Sequence, residues 1–91
     1  MTGKISGNEI LFPVNQKHNE KDRYAKIINA LSCCDNVKVG KTIEGPWCDY
    51  VNCYVNNELF KLVYDYDEDE TYITSENKDV LEELLVIVET F

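Results

Sequence analysis

An α+β domain, an antiparallel β-meander of four to five strands with two helices packed on it, is the fold this sequence predicts. Three observations carry that expectation. Tyr24, Ile27, Ile28 and Leu31 recur at the i, i+3, i+4, i+7 spacing of one helical face, and Leu81, Leu84, Leu85 and Val88 do the same near the end of the chain. Between them the period drops to two, with apolar and polar residues alternating through three successive runs. With 91 residues the chain has material for one hydrophobic core, so residues 1–91 are expected to form a single domain.

The elements follow in chain order. Ile10, Leu11, Phe12 and Val14 make a brief apolar run interrupted by Pro13, which predicts a short strand near a sheet edge. A polar stretch from Asn15 to Glu20 leads into a helix expected over Glu20–Cys34, with Asn19 as N-cap and Asp22 complementing the helix N-terminus. Val37, Val39 and Ile43 then alternate, with Gly40 weakening the strand between them. Gly45-Pro46 marks a turn, after which Asp49, Val51, Cys53 and Val55 share one face of the next strand. Trp47, at the head of that strand, is expected to cover the core or the sheet. Asn56-Asn57 reads as a hairpin turn, because asparagine tolerates the positive φ that tight hairpins demand. The run through Phe60, Leu62, Tyr64 and Tyr66 is the following strand, and Tyr72-Ile73-Thr74 is a shorter one. Ser75 or Asn77 caps the last helix, whose wet face carries Glu82, Glu83 and Glu89.

A composition of 44% hydrophobic and 29% charged residues lies well inside the folded range. The residues at the start lack the apolar stretch of a secretory signal, and no run approaches a membrane span, so a cytoplasmic location is expected. Cys33, Cys34, Cys48 and Cys53 are therefore expected to be buried free thiols, not a disulfide framework. Without a Cys-x-x-Cys pair, and with His18 as the one histidine, no zinc site or other cofactor is implied.

The net charge of −8 is unevenly spread. Residues 1–26 hold five basic and three acidic side chains (+2), residues 27–63 three and four (−1), and residues 64–91 one and ten (−9). Direct binding of nucleic acid or an anionic membrane by the last third is disfavoured, because phosphate is repelled there. Asp65, Asp67, Asp69 and Glu76 fall at positions 1, 3, 5 and 12 of a calcium-binding EF-hand loop. Position 6, where such a loop needs glycine, is Glu70, and the preceding segment alternates like a strand. Three readings stay open: a solvated hairpin turn that discourages edge pairing, a surface gathering a cation weakly, or a docking strip for a basic protein. The strip would comprise Asp65, Tyr66, Asp67, Glu68, Asp69, Glu70, Tyr72 and Glu76, with Tyr66 and Tyr72 as anchors and Asp79 close by. No glycine-rich phosphate loop, nucleophile elbow or Cys-His pairing is present, so no enzyme is expected.

In its format, with a basic-leaning first helix, a meander and the acidic stretch Tyr64-Asp65-Tyr66-Asp67-Glu68-Asp69-Glu70 leading to Ser75-Glu76-Asn77-Lys78-Asp79, the chain resembles bacterial immunity proteins, including partners of contact-dependent inhibition toxins. The resemblance implies a cytoplasmic protein that binds and neutralises one cognate toxin, commonly a nuclease, by protein–protein interaction. Two rivals are a phage-type inhibitor mimicking nucleic-acid charge and a small regulatory or self-associating domain with weak cation binding.

Overall fold

The computed structural model describes residues 3–12 and 20–91, and of Glu20 the backbone alone. Two short strands, β1 (Lys4–Ser6) and β2 (Glu9–Leu11), precede helix α1 (Glu20–Ser32). Four longer strands follow: β3 (Val37–Glu44), β4 (Cys48–Val55), β5 (Glu58–Asp65) and β6 (Glu70–Thr74), then helix α2 (Lys78–Glu89). All six strands form one antiparallel sheet in the order β1-β2-β6-β5-β4-β3. The chain is thus α+β as expected, but with six strands where four to five were predicted. β1 escaped notice because three residues cannot display a period. Its hairpin with β2 depends on Gly7, whose φ of +59° is open to glycine at no steric cost.

The meander β3 to β6 is held by an unbroken central register. β4 pairs with β5 over eight positions, from Cys48↔Asp65 to Val55↔Glu58. Asn56 and Asn57 close that hairpin with φ of 50° and 67°, the two positive values a two-residue turn matching strand twist requires. β3 meets β4 with one extra residue between Val39 and Thr42, opposite Asn52. Gly40 makes this bulge feasible, since a Cβ there would stand 2.7 Å from the Asn52 carbonyl oxygen.

One face of the sheet is apolar and closed. Ile10, Val37, Val51, Cys53, Phe60, Leu62 and Ile73 share a single buried cluster with Tyr24, Ile27 and Leu31 of α1 and with Val80, Leu81, Leu84 and Val88 of α2. Burying each such aliphatic side chain is worth about 1.5–3 kcal/mol. α1 stops two residues short of the predicted end, because the amides of Cys33 and Cys34 bond three residues back, to Ala30 and Leu31, and tighten the last turn. Asn77 is the N-cap of α2, its side chain accepting from the Asp79 amide at 3.0 Å. Ser75 supports the same corner by donating to the Leu59 carbonyl at 3.0 Å. The expected N-cap Asn19, the strand end at Pro13 and Val14, the polar stretch after it and His18 lie outside the described residues. Among the described residues no helix is long and apolar enough to cross a membrane.

Gly40→Ala is the sharpest test of the bulge. The added methyl meets backbone instead of a flexible side chain, so unfolding in urea is expected to show a loss of about 1–3 kcal/mol.

Candidate functional site

At one end of the sheet the β3–β4 and β5–β6 turns lie side by side. The first is tied by the Gly45 amide to the Cys48 carbonyl at 2.8 Å, and the Tyr66 amide binds the Trp47 carbonyl at 3.0 Å, joining the two turns. The second turn is the acidic segment. Asp65 pairs with Glu70 across its base, and the Asp65 side chain accepts from the amides of Asp67 (2.9 Å) and Glu68 (3.1 Å). This is an Asx turn, in which the carboxylate substitutes for a backbone acceptor. Asp69 takes φ +50°, which its short side chain tolerates.

Tyrosines hold the turn down. The Tyr64 hydroxyl donates to Asp69 at 2.7 Å and the Tyr66 hydroxyl donates to Asp49. Tyr24 of α1, Tyr64 and Tyr66 line up with ring centroids 6.3 and 5.7 Å apart, the second pair edge to face, within the range favoured by ring quadrupoles. Asp49 is only 7% exposed, a carboxylate on the closed face of β4, and Tyr66 supplies it with a donor. That bond raises the Tyr66 phenol to about 12, with some desolvation and the charges of Asp49 and Glu44 adding to it. The ionised form would lose the donated bond and face the carboxylates, so the neutral form is favoured in the fold.

The predicted strip is therefore divided. Asp65, Tyr66, Asp67, Glu68, Asp69 and Glu70 come together at the turn, five carboxylates within six residues. Of these, Asp65 is half-buried and engaged within the turn, Asp69 is engaged by Tyr64 while still exposed, and Asp67, Glu68 and Glu70 lie exposed. Tyr72 stands half-buried on the opposite face of β6 from Ile73, and burial together with Glu9, Asp65, Cys48 and Glu70 raises its phenol above the ordinary value. Glu76 and Asp79 do not join the turn, contrary to expectation. Both follow the far end of β6, whose five residues span roughly 16 Å, because the strand runs away from the turn it leaves. That separation also leaves Glu76 unable to complete a ring of ligands with Asp65, Asp67 and Asp69.

One residue was misread, and Asp49, expected on the face where it lies, had been given no role there. Trp47 is 69% exposed instead of covering the core, because it sits in the Gly45–Cys48 turn before the strand begins. The Gly45-Pro46 dipeptide was the available signal. Asp49 had a signal too, an acid in phase with the buried Val51, Cys53 and Val55.

The four cysteines are free, but only Cys53 is buried; Cys34 and Cys48 are half-buried and Cys33 is exposed at the end of α1. Burial pushes the Cys53 thiol up to about 11. No known protein family, curated protein or solved structure matches this chain.

Two outcomes are expected. In a titration of phenol absorbance, Tyr66→Phe removes a tyrosine that ionises near pH 12, and wild-type stability tied to this group, intact below about pH 10, declines as pH rises through about 12. In the native protein a maleimide modifies Cys33 first and Cys53 only after unfolding, as mass spectrometry of digests would reveal.

Proposed function

We propose that this chain is a cytoplasmic immunity protein that binds and neutralises a cognate toxin, a nuclease, of the contact-dependent inhibition kind, by protein–protein interaction and without catalysis. The supporting observation is the exposed Trp47 beside the exposed carboxylates of Asp67, Glu68 and Glu70. Carboxylates steer a basic surface toward the turn and raise the rate of encounter. Tryptophan and tyrosine then provide contact area at small rotamer cost, the residue types that dominate binding energy at protein interfaces. A nuclease cleft shaped to attract phosphate attracts carboxylates for the same electrostatic reason.

With both helices read as packing on the closed face, the turn is presented by a rigid base. Asp65 fixes its backbone, and Tyr64 and Tyr66 fasten it to Asp69 and Asp49. A preordered surface loses less entropy on binding than a mobile loop. In this reading Tyr66 contributes its ring, since its hydroxyl is occupied, and Glu76 stands outside the contact.

The test begins with the product of the gene immediately upstream. Its expression alone is expected to arrest growth, and co-expression of this chain to restore it. Asp67→Lys with Glu68→Lys is expected to weaken the complex by about tenfold or more at low salt and to flatten its salt dependence. Trp47→Ala is expected to cost about 2 kcal/mol or more in binding with the melting temperature unchanged. Rescue undiminished by all three substitutions would place the contact elsewhere on the protein.

A further inference from the structure

The second face of the sheet carries a row of apolar side chains that runs across five strands. Register places Leu11 beside Tyr72, Tyr72 beside Val63, Val63 beside Tyr50 and Tyr50 beside Ile43. Cross-strand partners point to the same face, so these five residues form one continuous line from β2 to β3. Toward the acidic turn the adjoining row on this face is Glu70, Asp65 and Cys48; on the other side it is Glu9, Thr74, Lys61 and Asn52. Beyond that, Leu59 pairs with Tyr54. Leu11, Ile43, Tyr54 and Leu59 are 37–47% exposed, so large apolar side chains face outward at both margins and at one end of this face. Between those positions Tyr50 and Tyr72 are half-buried and Val63 is buried, so the apolar surface this face offers to water is concentrated at its margins and that end. Large apolar side chains grouped on one face mark a site of interaction.

The geometry points to a second copy of this chain as the occupant of that face, in a two-fold symmetric dimer with the sheets packed face to face. A symmetric contact requires a surface complementary to itself. An axis laid along the apolar row superposes the row on its own counterpart. The same rotation reverses the strand direction and carries the Glu70-Asp65-Cys48 row of one copy onto the Thr74-Lys61-Asn52 row of the other. Asp65 of each copy then faces Lys61 of its partner, and two opposite-charge contacts flank one apolar seam. Lys61 lies over the Tyr50 ring at 5.3 Å, which places its ammonium on the face instead of out in solvent. An axis along the strands would set acid against acid, so charge selects the first arrangement.

The row crosses four gaps between strands, roughly 19 Å at about 4.8 Å each. That footprint belongs to the small end of stable interfaces, and a chain of net charge −8 repels its copy at long range. The dimer is accordingly weak, dependent on concentration and strengthened by salt up to the point where the Asp65–Lys61 contacts are themselves screened. It leaves the acidic turns at opposite ends of the assembly, so it is compatible with capture of a partner there and independent of the toxin reading.

Sedimentation equilibrium on the intact chain tests the proposal. The expected result is a mass that rises with concentration from the 10.5 kDa of one chain toward twice that value. Ile43→Lys, at an exposed position on an edge strand, and Lys61→Glu are each expected to weaken the dimer about tenfold or more, while Lys61→Arg retains it. Val86→Lys, at the exposed apolar position of α2, is expected to leave it intact. Thermal melts of the same variants separate loss of association from loss of fold. A single-chain mass up to millimolar concentration, or a dimer indifferent to both Ile43→Lys and Lys61→Glu, would overturn the proposal.

Discussion

The uninterrupted pairing of β4 with β5 is the constraint on which the rest of the molecule depends. Eight residue pairs place Val51 and Leu62 together on the closed face and Tyr50 and Val63 together on the other. Because side chains alternate, a slip of one residue would send Phe60 and Leu62 into water and bring Lys61 into the core. The Asn56-Asn57 turn locks that register through its two positive φ angles. Every other strand inherits its facing from this pair, β3 through Thr42↔Val51 and Val39↔Cys53, and β6 and β2 through Leu62↔Ile73 and Ile73↔Ile10.

The closed face changes character along its length. In its middle it is aliphatic, with Val51, Leu62, Ile73 and Ile10 fully buried. Toward the acidic turn it becomes aromatic and polar, with Tyr64, buried Thr71 and buried Asp49. A carboxylate in that position must be given donors, and the turn itself supplies one when Tyr66 folds back onto Asp49. The same residues that satisfy the buried acid therefore stiffen the exposed ones. Charge is thus concentrated in a turn whose backbone is tied by the Asp65 carboxylate to the amides of Asp67 and Glu68.

Much of this architecture was legible in advance because period and turn chemistry are local signals. The two helical stripes, the meander, the Asn56-Asn57 hairpin and the Asn77 cap each announce themselves within a few residues. The missed elements lacked that redundancy: β1 is too short to show alternation, and Trp47 belongs to a turn that its apolar character disguised. Of the candidate site, the cluster from Asp65 to Glu70 could be read because its residues are contiguous. Its division between Asp65 and Asp69, which bond within the turn, and the other acids could not, since the bonds from the Tyr64 hydroxyl and from the amides of Asp67 and Glu68 depend on conformation.

By itself, then, the sequence determined the class of fold, the alternation that separates two sheet faces and the position of the acidic turn, all consequences of backbone geometry and residue type over short spans. The tertiary structure decided what those pieces stand next to. It set Trp47 beside the acids, moved Glu76 to the far end of β6, and drew five apolar residues from five strands into one row. Such neighbours are separated by up to about sixty residues in the chain, Leu11 and Tyr72 among them, and only hydrogen-bonded register brings them within reach.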